Sequence, residues 1–279
     1  MLALLALAPA FAADAPATTD APGAFRLNTP GRGFEVRLAA ELGFVGVLSH
    51  IIQFDRDGTE FDYVKEGGQD VLFPFARAEA GFSWRRSHAV LVYQPLLLQG
   101  DVTLQDELVV DDVVFEEGTP IRARYNFPYF RGSYLYDVLP SPEHELSFGI
   151  AVQLRNATID FASLDGETLV SNRDIGIVPL LAGRYEGPVS KHIWWGAEAT
   201  GFYAPIKYLN GDDNGVVGAI LDASVRIGVS PRAGVRPYVN ARYVGGGAEG
   251  TSDESTPPGD GYNNNWLHTL AISAGTQFR

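Results

Sequence analysis

The stretch GFEVRLAAELGF, residues 33–44, alternates apolar and polar side chains along most of its length. Its even positions from Phe34 to Phe44 are apolar, whereas Glu35, Arg37 and Glu41 stand between them. Successive side chains of a β-strand point to opposite faces of the sheet, so this alternation predicts a strand with one apolar and one charged face. Such a strand separates two different environments.

The same pattern recurs along the chain, and the connections between its repeats are alternately short and long. The short connections are 85–88, 139–145, 186–191 and 230–233, and the long ones are 55–70, 101–117, 163–174, 206–214 and 247–265. Strands joined in this way are typical of membrane barrels, which have short periplasmic turns and longer outer loops. The sequence therefore predicts an all-β fold, a ten-stranded antiparallel up-and-down transmembrane β-barrel over residues 33–279.

The distribution of charge decides which face meets which solvent. The polar faces carry ions of both signs, whereas the connection 101–117 has seven carboxylates and no Lys or Arg. Paired charges suit a lumen shielded from lipid, and an acidic surface suits loops outside the cell. The predicted lumen-lining set is Glu35, Arg37, Glu41, Arg77, Glu79, Arg122, Arg124, Arg131, Arg155, Arg184, Glu198, Asp222, Arg226, Arg236 and Arg242.

The phase of the charged residues changes near Pro128. Before this proline Arg122 and Arg124 occupy even positions, and after it Arg131 and Ser133 occupy odd ones. If all of these side chains line the lumen, one extra residue must lie between the two runs. The sequence therefore predicts a β-bulge at Pro128.

The beginning of the chain indicates export. Residues 1–13, MLALLALAPAFAA, form an apolar run with an A-x-A-like site, which predicts a signal peptide, and residues 14–32 predict a flexible periplasmic lead-in. The chain has no cysteine, which excludes disulfides and thiolate metal sites. With an even number of strands, both ends of the barrel lie on the short-turn side, in the periplasm.

Residues 266–278, WLHTLAISAGTQF, end in the aromatic Phe278 after alternating apolar positions. This segment resembles the C-terminal assembly signal of bacterial outer-membrane proteins. Other stretches resemble a family of functionally uncharacterised outer-membrane barrels of about ten strands, namely RYNFPYFRGSYLYDV (124–138), NRDIGIVPLL (172–181), LDASVRIGVSPRAGVRPYVNARYVGGG (221–247) and NNNWLHTLAISAGTQF (263–278).

The resemblance implies the barrel fold and the outer membrane of a Gram-negative bacterium, and it supplies no catalytic residues. We expect the partners to be outer-membrane lipid, lipopolysaccharide and the barrel assembly machinery. We further expect a monomer without a nucleic-acid partner.

The arginine-rich lumen leaves two passive functions open. A ring of arginines favours anions in a narrow pore for small solutes. Alternatively, the charges pair across the lumen and plug it, because eight strands leave room only for side chains or one small ligand and ten are only slightly wider. A passive barrel, either plugged and structural or a narrow pore, is the leading hypothesis.

The loop carboxylates raise the question of a cation site. Asp111, Asp112, Glu116 and Glu117 could supply the oxygen ligands that Ca²⁺ or Mg²⁺ prefers, although no fixed-spacing calcium loop is present. The alternative is solvated acidic loops. Beyond these cations the sequence indicates no cofactor.

A hydrolase acting on lipid A or peptide is the alternative to a passive barrel. His50 lies near the outer end of the first strand and His268 near the start of the last, and these strands are neighbours in a closed barrel. With Asp55 and Asp260 they could form a His–carboxylate general base at the outer rim.

Overall fold

The computed structural model of the protein describes residues 34–139, 141–205, 215–231, 234–251 and 260–278. The predicted signal peptide and lead-in, 1–13 and 14–32, lie outside these ranges. The strands are β1 (Glu35–Phe54), β2 (Phe61–Asp62), β3 (Leu72–Trp84), β4 (Ser87–Gln94), β5 (Leu97–Thr103), β6 (Leu108–Val110), β7 (Val113–Phe115), β8 (Pro120–Asn126), β9 (Tyr129–Asp137), β10 (Glu145–Ser163), β11 (Leu169–Pro188), β12 (Ile193–Pro205), β13 (Val217–Val229), β14 (Val235–Thr251) and β15 (Tyr262–Phe278). Within the described ranges no helix is long and apolar enough to cross a membrane.

Ten of these strands form a closed antiparallel ring. Its order is β1, β3, β4, β9, β10, β11, β12, β13, β14 and β15, and β15 pairs with β1 from Leu38↔Phe278 to Phe54↔Asn263. Each neighbour in the ring is also a neighbour in sequence, apart from short strands inserted in the outer connections. The predicted ten-stranded up-and-down barrel is therefore confirmed.

The outside of the ring carries an apolar belt. Its side chains are exposed although they are large and apolar, and they include Leu38, Phe82, Ile150, Leu221, Val239 and Ile272. Aromatic side chains lie at the short-turn edge of this belt, among them Trp84, Tyr136, Trp195 and Phe278. An outward apolar band bordered by aromatics is the lipid-facing surface of a membrane barrel.

Above the belt the two faces of the wall exchange their polarity. Strands β5 and β8 continue the β4–β9 hairpin outward, and their buried residues are apolar, as Ile121 and Ala123 are. Arg122 and Arg124 lie outside the wall, where Arg122 binds Asp101 at 2.7 Å and Arg124 approaches Asp160 to 3.5 Å. The hydrogen-bonded guanidinium of Arg122 lowers the pKa of Asp101.

The structure therefore corrects the prediction that Arg122 and Arg124 line the lumen. The prediction assumed that charged side chains face inward along the whole strand. That assumption holds only where lipid surrounds the wall, because water surrounds it further out and charged groups are then stable on the outside.

The predicted bulge at Pro128 is also corrected. The pairs Leu154↔Phe130 and Thr158↔Asn126 keep the same register on both sides of this proline, so no residue is inserted there. A register shift lies instead in β1, between Val47 and Ser49. Beyond this bulge the even positions of β1 turn inward, and His50, Ile52 and Phe54 are buried.

The outer connections fold into a cap on one side of the barrel. Side chains from residues 55–71 and from the β5–β8 hairpin, such as Phe61, Tyr63 and Leu104, join one apolar cluster with the upper wall. The predicted long loop at 163–174 is short, because β10 ends at Ser163 and β11 begins at Leu169. The acidic loops are thus supported by a packed apolar interior.

The belt predicts how the wall tolerates charge. Leu181 and Ser171 both lie on the outer face of β11, and Leu181 lies in the belt whereas Ser171 lies above it, opposite Asp160. We expect Leu181→Arg to lower the free energy of unfolding of the barrel in liposomes by about 2–4 kcal/mol. In Ser171→Arg the new guanidinium lies beside the Asp160 carboxylate, and we expect the free energy of unfolding to change by no more than about 1 kcal/mol. Equal losses measured by urea titration would contradict the assigned belt.

Candidate functional site

At the level of the belt, the lumen is filled by a network of buried ions. Seven arginines are almost inaccessible to solvent, namely Arg37, Arg77, Arg131, Arg184, Arg226, Arg236 and Arg242. Their counter-ions are Glu41, Glu79, Glu145, Glu186, Glu198 and Asp222. Buried charges persist in proteins when they are paired, and each of these arginines lies within ion-pair distance of at least one of the carboxylates.

The centre of this ion network joins opposite walls of the barrel. Arg131 on β9 binds Asp222 on β13 at 2.8 Å and Glu198 on β12 at 3.0 Å. Arg77 on β3 reaches Glu198 at 3.3 Å, although these strands stand five places apart in the ring of ten. These ion pairs place charged side chains across the lumen at this level.

A second layer of the ion network lies nearer the short turns. Arg184 donates to Glu145 at 2.8 Å, and Arg37 approaches the same carboxylate to 3.6 Å. Arg236 forms an ion pair with Glu186, and its guanidinium lies 4.0 Å from the centre of the Trp194 ring. Charged and aromatic side chains therefore also cross the lumen near its short-turn end.

The structure places most of the predicted lumen set on the inner face. Arg37, Glu41, Arg77, Glu79, Arg131, Arg184, Asp222, Arg226, Arg236 and Arg242 are buried there, and Glu35, Arg155 and Glu198 occupy inward positions that are less deeply buried. Sequence reasoning missed Glu145 and Glu186, because both stand beside short turns. The signal was their alternation with Ser147 and Arg184, which are also buried.

Above the ion network lies a cavity of about 750 Å³. It occupies the side of the barrel that the cap leaves unfilled. Its lining is mostly apolar and includes Tyr125, Phe127, Val178, Phe202, Ile220, Val244 and Leu267. Strands β13 and β14 contribute small residues to it, namely Gly218, Ala219, Gly245, Gly246, Gly247 and Ala248. Small side chains on one wall account for this space among the residues that the structure describes.

Tyr129 connects this outer cavity to the ion network. Tyr129 lines the cavity, and its hydroxyl donates to Gln94 at 2.9 Å and lies 3.2 Å from Asp222. Gln153 also lines the cavity and is 1% exposed, and its side-chain Nε2 has no acceptor among the described residues. A buried donor without an acceptor is costly unless a bound group satisfies it.

The wall beside the outer cavity is interrupted between β11 and β12. Their ladder runs from Pro188↔Trp194 to Leu181↔Gly201 and ends there. Further out, β11 continues to Leu169 in a ladder with β10, and β12 continues to Pro205 in a ladder with β13. Among the described residues the two strands are not paired beyond Leu181, and we call this interruption the lateral gap.

The residues of the alternative hydrolase site are only partly brought together. His50 lies inside the wall, where its Nδ1 is 2.8 Å from Gln69 Oε1, whereas His268 lies on the outer face with its Nδ1 2.6 Å from the Tyr243 hydroxyl. The bulge in β1 turns His50 inward, which explains the separation. Asp55 and Asp260 do meet, since the amide of Asp260 donates to Asp55 at 2.9 Å.

The surroundings of Asp55 do not include an imidazole. Burial raises the pKa of the Asp55 carboxyl, and the neighbouring Asp260 carboxylate contributes to the same direction. A general base of the proposed kind needs a histidine in hydrogen-bond reach of its carboxylate. The four residues do not form such an arrangement.

Of the four loop carboxylates considered as cation ligands, two form a turn and two are exposed. Asp111 and Asp112 form the turn between β6 and β7, with positive φ angles of 48° and 62°. Asp111 accepts a hydrogen bond from Asn172, and Glu116 and Glu117 are exposed. In the part of the chain that the structure describes, no three carboxylate or histidine groups converge as metal ligands do.

Comparisons with known proteins agree with the fold. The outer-membrane protease OmpT of Escherichia coli is similar, with a TM-score of 0.50 and 11% identity over 87% of this chain and 96% of that one. Ail of Yersinia pestis gives a TM-score of 0.36 at 9% identity, over 88% of this chain and 99% of that one. Neisserial surface protein A gives 0.33 at 9% identity, with the same two coverages. No protein-family model and no curated protein sequence matches the chain.

At these identities the likeness concerns the fold alone. That fold is the closed barrel of bacterial outer-membrane proteins, and its apolar belt is the surface that such a membrane requires. The protein is an outer-membrane β-barrel of a Gram-negative bacterium.

The ion network predicts unequal costs for two similar substitutions. Asp222→Asn leaves Arg131 and Arg242 without their shared buried carboxylate, and we expect it to lower the free energy of unfolding by about 3–5 kcal/mol. Asp101→Asn breaks the exposed pair with Arg122, and we expect a loss of about 0–1 kcal/mol. Urea titration of the refolded barrels measures both values, and similar losses would mean that Asp222 is not part of a closed ion network.

Proposed function

We propose that this protein is a sealed outer-membrane barrel that binds a small molecule in its outer cavity and does not conduct ions. The observation that carries this proposal is the position of the cavity directly above the ion network. A chamber beside a layer of paired charges can hold a molecule, whereas a pore needs a continuous path.

The dimensions and lining of the outer cavity support a binding role. Its volume of about 750 Å³ lies within the range of about 300–1,000 Å³ that is usual for small-molecule sites. Such sites combine mainly apolar walls with a few polar groups that orient the ligand. Gln153, Arg155 and Asn265 are polar groups of this kind.

The two other hypotheses from the sequence have less support. A narrow pore would require a passage through the layer in which Arg131, Glu198 and Asp222 are in direct contact. A hydrolase at the outer rim would require His50 and His268 on one side of the wall, and they lie on opposite sides.

Recording in planar lipid bilayers tests the seal. We expect the purified barrel to give no stepwise conductance, because side chains of the ion network lie across the lumen at two levels. Discrete conductance steps from the wild-type protein would overturn the proposal of a sealed barrel. Insertion is verified in the same membranes by heat-modifiable mobility on gels.

Filling the outer cavity tests the binding role. Val178→Trp adds a large ring to the cavity, and Val239→Trp places the same ring on the lipid-facing surface as a control. Small molecules are extracted from each purified barrel and measured by mass spectrometry. We expect at least one compound to be depleted in Val178→Trp relative to both wild type and Val239→Trp. Identical extracts from all three would contradict the binding role.

A further inference from the structure

We propose that the ligand of the outer cavity is a single-chain amphiphile whose head group accepts hydrogen bonds, such as a fatty acid, and that it enters sideways from the outer leaflet through the lateral gap. This inference rests on the binding role proposed above and adds the class of ligand and its route.

The lateral gap lies within the apolar part of the wall. On the outer face of β11 the residues along the gap are Ile175, Ile177 and Pro179, and Ile177 is 72% exposed. Polar outer residues begin at Asn156, opposite Ile175, and continue with Arg173. The lower part of the gap therefore faces hydrocarbon, where an unpaired strand edge is tolerated only if it lines a cavity.

A groove on the outside of the barrel leads to the gap. It has a volume of about 640 Å³ and is lined by apolar residues including Phe148, Leu181 and Tyr203. Phe202, Ala219 and Ile220 line both this groove and the outer cavity. The groove and the outer cavity therefore lie on either side of the same part of the wall, and Phe202 is on its inner face.

The polar groups of the outer cavity select the head group. Gln153 has a buried amide donor without an acceptor, and Arg155 and Asn265 lie in the same lining. A guanidinium and amide donors match a carboxylate or another oxygen acceptor. The remaining lining is apolar and suits one hydrocarbon chain, so a molecule with an oxygen-containing head and a single tail satisfies both parts.

Photo-crosslinking in proteoliposomes tests the ligand class. The reagent is a palmitic acid that carries a diazirine on its tail, and labelled residues are identified by mass spectrometry. Ordinary contact with lipid labels outward residues such as Leu38 and Ile272. Occupation of the cavity also labels inward residues that line the cavity and not the groove, such as Val244 and Ala248. Labelling confined to the outer face would overturn the inference.

The role of the head group is tested by Gln153→Leu, which keeps the size of the side chain and removes the donor. We expect labelling of the inward residues by the photoreactive acid to become roughly two- to tenfold weaker, as expected for one lost hydrogen bond. Labelling by a diazirine alkane without a head group should not weaken. The control is Gln105→Leu in an exposed loop. Unchanged labelling by the acid would exclude Gln153 as the head-group partner and overturn this choice of ligand.

The route is tested by closing the gap, which is straightforward because the chain has no cysteine. Pro179→Cys and Tyr203→Cys continue the register of Leu181↔Gly201 and can be joined by a dimaleimide that contains a cleavable disulfide. We expect crosslinking to abolish inward labelling and reduction to restore it. The matched control joins Ala40→Cys to Ala78→Cys, which face outward, lie away from the groove and already pair across an intact ladder.

The outcomes separate the two levels of the proposal. Inward labelling that persists after the gap is closed would overturn the lateral route. Loss of labelling in the control pair as well would mean that crosslinking disturbs the barrel rather than the gap, and would remove the support for the route. If Val178→Trp depletes a compound that is not a single-chain amphiphile, the binding role stands and the ligand class proposed here is wrong.

Discussion

The absence of water inside a bilayer is the constraint on which the rest of this structure depends. Every backbone N–H and C=O group in the hydrocarbon must be paired within the chain, and a closed ring of strands meets this demand. Pairing of β15 with β1 closes the ring, and each strand is then left with two faces of different chemistry. The ladder between β11 and β12 stops at Leu181↔Gly201, and a cavity lies behind the place where it stops.

A single strand serves two environments in succession. On β10 the outward residue Ile150 faces lipid, and the outward Asp160, further along, binds Ser171 and Arg124. The inward residues change from charged to apolar, from Glu145 in the ion network to Phe161 in the apolar cluster that the cap shares with the upper wall. The outer cavity lies at this transition, which explains why it is next to the ion network and has mainly apolar walls.

The sequence predicted the features that follow from the alternation of apolar and polar residues. It predicted the closed ring and the inward position of Arg37 and Arg77, because a period of two assigns each residue to one face. It misplaced Arg122 and Arg124, because alternation does not reveal where lipid ends and water begins. It did not predict the cavity, because a void is enclosed by side chains from strands that are far apart in sequence. A small residue such as Gly246 does not by itself indicate that the space beside it is empty.

The ion network also bears on how the barrel forms. Arg77 and Glu198 are 121 residues apart, and Arg131 and Asp222 are 91 residues apart. Contacts between such distant residues form late, because the intervening chain must first be ordered. A partly rolled sheet therefore holds arginines whose counter-ions have not arrived, and it gains little from electrostatics until the opposite walls meet. We therefore expect ring closure and charge neutralisation to occur together, at the last step of assembly.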